Sequence, residues 1–131
     1  MIKTLLQRYN LLALLLLVGL AAMPTQAAEW YEGGTLHEAS ALEWQQGTQE
    51  NKLATAGYLL GVVASEEMLA PKITGSITEL NSFLPLATKL AAQLDVLFEV
   101  LEDEEENNAT YADQKVVSTA GLLMMLNGWL K

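Results

Sequence analysis

Beyond Pro85 the apolar residues of this chain fall at intervals of three and four: Leu86, Leu90, Leu94, Leu97, Phe98 and Leu101. That period sets them on one face of an α-helix, whereas a half-buried strand needs alternation at every second position, which no segment sustains. A second stripe, Val116, Ala120, Leu123, Leu126 and Leu130, closes the chain. Stripes of this kind are stable only when buried against one another. The expected fold class is therefore all-α, a small bundle of four or five helices.

Punctuation residues give the expected boundaries. Glu29 to Thr35, with Trp30, Tyr31, Gly33 and Gly34, reads as irregular or extended. A short helix is expected from about Leu36 to Gln46, stopped by Gly47. Thr48 can cap the next, running to about Leu69 before Pro71. Ser76 to Glu79 has the spacing of a capping box, and Pro85 either kinks the helix that follows or starts a new one. Asn107-Asn108 reads as a loop, after which Thr110 caps the last helix with Asp113 in its first turn. Leu122 to Leu126 is apolar nearly all round, as in a central buried helix. Gly57 and Gly61 lie four apart, with Ser65 continuing the stripe, so this strip is expected to receive a closely packed second helix.

The N-terminus has the order of an export signal. Lys3 and Arg8 precede the apolar run Leu11 to Ala22, Pro24 breaks it, and Thr25-Gln26-Ala27 supplies small residues for a peptidase. The run is shorter than the roughly 20 residues of a membrane span. Residues 1–27 are expected to be a cleaved signal peptide, leaving no stable membrane anchor. Residues 28–131 form a single acidic helical domain, periplasmic or secreted. Cleavage removes two of the seven basic residues and none of the 16 acidic ones, leaving a formal charge of −11 and no arginine. Such a field repels nucleic acid and anionic membrane surfaces and favours a basic protein, cations or a cationic ligand. The chain has no cysteine, so packing alone must hold it and thiol chemistry is excluded.

Little in the sequence points to catalysis or to a cofactor. His37-Glu38 begins like a zinc-protease helix, but position 41 is alanine and His37 is the one histidine of the chain. Glu102, Asp103, Glu104, Glu105 and Glu106 form an acidic run, read here as a solvated helix end and loop. A calcium loop starting at Asp103 would need glycine where Asn108 stands. Glycine-rich phosphate loops and nucleophile elbows are absent. The expectation is a protein that is not an enzyme and takes no cofactor. The candidate partner-binding residues are the acidic run together with Trp30 and Tyr31.

Gly57-Tyr58-Leu59-Leu60-Gly61-Val62-Val63, with Gly34-Thr35-Leu36 before it and Ile73 to Leu80 after it, resembles the helix signature of small helical periplasmic immunity proteins that neutralise type VI secretion effectors. Unlike most of that family, this chain carries no cysteine. Gly33 to His37, Trp44 and Asn51 to Ala56 are also similar to small exported bacterial proteins of no assigned activity. The first resemblance implies a protein partner. The leading expectation is a non-enzymatic periplasmic binding or interaction protein. The alternatives are an acid-responsive holdase chaperone, whose charge would reverse near pH 3, and a small hydrolase using His37 or a carboxylate pair.

Overall fold

The computed structural model describes residues 29–131; the expected signal peptide lies outside the described residues. The domain is all-α. Its helices are α1 (Ala41–Gln45), α2 (Gln49–Ser65), α3 (Pro71–Thr74), α4 (Leu84–Leu97), α5 (Glu104–Tyr111) and α6 (Val116–Leu126), with a 3-10 turn at Leu80–Phe83. The main packing pairs are α2 with α4 and α4 with α6. Between them lie the fully buried Leu60, Leu90, Leu94, Val116 and Met124, with Trp44 and Phe98 closing the α1 end.

Several boundaries differ from the sequence expectation, each for a local reason. The first helix begins at Ala41 rather than Leu36, because Ser40 and Glu43 form the capping box. Ser40 N donates to Glu43 Oε1 at 2.9 Å, and Glu43 N donates to Ser40 Oγ at 3.3 Å. Bonding to the Glu43 carboxyl from the Ser40 backbone N–H first, and then from the Ser40 side chain, holds that carboxyl below its ordinary value. Gly34 to Leu36 instead run along α2: Thr35 N donates to Asn51 Oδ1 at 2.8 Å, and Leu36 N donates to Thr55 Oγ1 at 3.1 Å. The approach is so close that a Cβ on Gly34 would stand 2.6 Å from Thr55 N.

Thr48 caps α2 as expected, accepting from Asn51 N. The helix stops at Ser65, short of Leu69, where Glu67 takes a left-handed φ of 57°. Met68 N then donates to Val63 O at 2.9 Å, a closure usually built on glycine. Ser76 does not cap a helix; its hydroxyl donates to Ile73 O. Glu79 and Ser82 cap the 3-10 turn instead, and Pro85 starts α4 rather than kinking a longer helix.

The acidic run is the largest departure. It is not a helix end. Asp103 is the N-cap of α5, accepting from Glu105 N and Glu106 N, and Glu104, Glu105 and Glu106 form the first turn. Acids there are stabilised by the helix dipole. Asn107 and Asn108 lie inside α5, not in a loop. Asn107 is buried, exchanging two hydrogen bonds with Gln45 of α1 and accepting from Leu101 N. Thr110 is helical, Asp113 lies in the following turn, and α6 starts at Val116.

Nor is α6 buried all round. Val116, Ala120, Leu123 and Met124 face the core, while Leu122, Met125 and Leu126 are exposed, Leu126 by 75 %. Two antiparallel bridges pin this helix at both ends, Ser40 with Lys115 and Leu69 with Leu130. Their bonds run from Val116 N to Ala39 O and from Ala70 N to Trp129 O, at 3.0 and 2.7 Å. Inside, Asp95 accepts from Trp44 Nε1 and from the buried Lys52 Nζ, both at 2.9 Å, and the ammonium lies 5.5 Å from the Trp44 ring centroid. Lys52 is thus compensated twice, the condition on which a buried charge is tolerated.

Candidate interaction groove

Among the described residues no helix meets the Gly57–Gly61–Ser65 strip of α2. It is the floor of a groove of about 300 Å³ whose walls are the Trp30–Tyr31 turn and the 3-10 turn carrying Leu80 and Phe83. The packing expected of the two glycines therefore divides. A Cβ on Gly57 would stand 2.7 Å from Trp30 Cζ3, so this glycine admits an indole rather than a helix. A Cβ on Gly61 would meet nothing within 4 Å. Gly61 is open floor among the described residues, and the closely packed helix expected over it is not there.

The walls are braced. Trp30 Nε1 donates to Asn81 Oδ1 at 2.9 Å, tying one wall to the other across 51 residues of sequence. Tyr31 stands edge-on to Trp30, with ring centroids 5.6 Å apart at 89°. Tyr58, 48 % exposed, extends the aromatic lining and packs against His37 at 4.4 Å between centroids. His37 sits in a turn rather than a helix; its buried Nδ1 has no hydrogen-bond partner among the described residues. Ser65 turns its hydroxyl back to Val62 O at 2.8 Å, so this floor residue spends its one proton on its own helix. What remains facing outward is aromatic and aliphatic, with Leu80 55 % exposed at the lip.

Trp30 and Tyr31, singled out for partner binding, are thus brought together with Gly57 and Gly61, singled out for packing. The acidic run is not part of this groove. It lies at the N-terminal end of α5, where Glu102 and Glu104 border a separate, more polar depression with Gln45 and Asn107. Tyr58, Val62, Leu80 and Phe83 were not marked by the sequence as site residues. Tyr58 and Val62 follow Gly57 and Gly61 by one position, a signal available in the glycine stripe; Leu80 and Phe83 arrive through a 3-10 turn where the capping-box spacing predicts the start of a longer helix. Trp44 and Trp129 are buried in the core. Among the described residues no three His, Asp or Glu side chains gather as metal ligands, and no helix is long and apolar enough to cross a membrane. Comparison of this chain with protein-family models, with curated proteins and with solved structures finds no match.

Proposed function

We propose that this domain is a non-enzymatic interaction protein of the periplasm or extracellular space, and that the groove over Gly61 receives a protein partner. The observation that carries the reading is the open glycine floor between two braced aromatic walls. Side chains held by packing and hydrogen bonds lose little freedom on binding, which favours affinity. Exposed aromatic residues around a central pocket are the composition of interface hot spots. The net negative charge favours a basic partner and speeds its encounter. Neutralising an effector, as the resemblance implies, is one concrete form of this function.

The test is a photo-crosslinking residue placed at Leu80, on the groove lip, or at Val96, an exposed apolar residue on α4. Expressed in the native compartment, the Leu80 protein is expected to capture one basic protein that the Val96 protein does not. Equal capture at both positions, or none at Leu80, would overturn the assignment of the groove.

The holdase reading draws on a different observation, the exposed Val96, Leu97, Leu122, Met125 and Leu126 of α4 and α6. It requires suppression of client aggregation at pH 3 that Leu126→Asn weakens. Equal suppression by that variant would remove the α6 surface from consideration.

A further inference from the structure

The residues next in sequence to the groove lining carry charge of one sign. Glu29 and Glu32 stand either side of Trp30 and Tyr31, Glu66 follows Ser65, and Glu79 precedes Leu80; all four are exposed, and one oxygen of Glu32 accepts from Glu29 N at 2.9 Å. Among the described residues no lysine lines the groove. Within, the lining offers ring faces and edges from Trp30, Tyr31, Tyr58 and Phe83, and an aliphatic floor beside Gly61. A hydrocarbon stem suits that floor, and an ammonium at its end suits both the rings and the flanking carboxylates. Aromatic faces attract a cation within about 6 Å of the ring centroid, most strongly when it is partly desolvated. Lysine combines such a stem with such a charge, and its stem is routinely buried while its head stays near water. The same chemistry already operates inside the domain, where the Lys52 ammonium lies 5.5 Å from the Trp44 ring centroid and 2.9 Å from an Asp95 oxygen.

We infer that the groove recognises a lysine side chain presented by the partner protein, with the stem over Gly61 and the ammonium at the aromatic and carboxylate rim. This rests on the reading of the groove as a protein-binding site and names the group it selects. A neutral aliphatic side chain would fill the floor but leave the rim charges without a counterpart. An acidic one would be repelled.

Three pentapeptides separate these cases: acetyl-Ala-Leu-Lys-Leu-Ala-amide and its counterparts with norleucine or glutamate at the centre. Norleucine keeps the stem and removes the charge. Binding is followed through Trp30 fluorescence, since Trp30 is the half-exposed indole while Trp44 and Trp129 are buried. The lysine peptide is expected to bind at least fivefold more tightly than the norleucine peptide at low ionic strength. That advantage should shrink in 0.5 M salt, roughly a 4–5 Å screening length, and the glutamate peptide should bind weakest. Gly61→Leu should abolish lysine-peptide binding with the fold intact by circular dichroism, and E32Q/E66Q should remove most of the lysine advantage. If norleucine binds as tightly as lysine, selection of a cation is refuted while the apolar groove stands. If none of the three binds, the groove reading fails with it. If Gly61→Leu still binds the lysine peptide, the cation is held elsewhere on the acidic surface and the inference is overturned.

Discussion

At the residue scale the glycines carry most of the information, and they differ in what surrounds them. Gly34 lies against backbone, with Thr55 N 2.6 Å from where a Cβ would be. Backbone cannot rotate away as a side chain can, so Gly34→Ala should cost about 1–3 kcal/mol, as overpacking does, and lower the midpoint of a urea melt. Gly57 lies against the far edge of a side chain, so Gly57→Ala should displace the Trp30 indole and alter its fluorescence while costing less. Glu67 is the reverse case, a side chain where glycine would be easier. Its left-handed φ and its charge at the C-terminal end of α2 both count against it. Glu67→Gly should therefore stabilise the domain by about 1 kcal/mol, the usual cost of a non-glycine residue in that region, read as a rise in melting temperature. An unchanged or lower value would place a compensating contact at Glu67. The glycine stripe itself was legible in the sequence. What it meets was not, because Trp30 reaches Gly57 from a preceding segment that carries no periodic signal.

At the element scale, most helices were visible in the period of their apolar residues, and their ends less so. Leu90 and Leu94 were read correctly as core because leucines at three and four share one helix face, although Leu97 of the same run is 46 % exposed at the end of α4. The stretch from Glu102 to Glu106 has two: it can trail off an apolar helix or open a new one, and local sequence suits both. The choice is made at a distance. Asn107 is held by Gln45 through a reciprocal pair of hydrogen bonds, which fixes α5 against α1 and sets Asp103 at its N-cap. The consequence for mutation reverses. Had the run been a C-terminal fringe, neutralising it would be harmless or helpful. As a first turn, Glu104→Gln with Glu105→Gln and Glu106→Gln should destabilise, by about 0.3–1 kcal/mol for each charge lost to the dipole. A thermal melt of the triple variant at low salt decides, and a higher melting temperature would contradict the placement of α5. Glu43 gives a matching pH dependence in α1. Its carboxyl is held below the ordinary value by Ser40, so the stability it contributes is fully present above the ordinary carboxylate range and is lost as pH falls through the lowered value. Glu43→Gln should flatten that part of the acid limb; an identical limb would show that the capping bonds do not respond to charge.

At the scale of the whole molecule, the fold follows from stripes, caps and the absence of cysteine, and the groove follows from how the first and last described segments are tied down. The first half holds α6 through two short bridges, and the Trp30 turn is drawn to the 3-10 turn by the bond to Asn81. Among the described residues those ties leave the glycine strip of α2 uncovered. The fold class could be read from residues at three and four, because helix–helix burial is dictated by local period. The groove could not, because it depends on three segments whose sequences say nothing of one another. The separation of stability from binding at Gly61 tests this account most directly. A Cβ there meets nothing within 4 Å among the described residues, the rest of a leucine side chain has the open groove to enter, and a poor helix former is replaced, so the melting temperature of Gly61→Leu should equal or exceed that of the unmodified protein, by up to about 1 kcal/mol in stability. The same substitution fills the floor, so affinity for the protein captured at Leu80 should fall at least tenfold. A stable Gly61→Leu protein that binds that partner with undiminished affinity would contradict the claim that the groove is where this domain meets it.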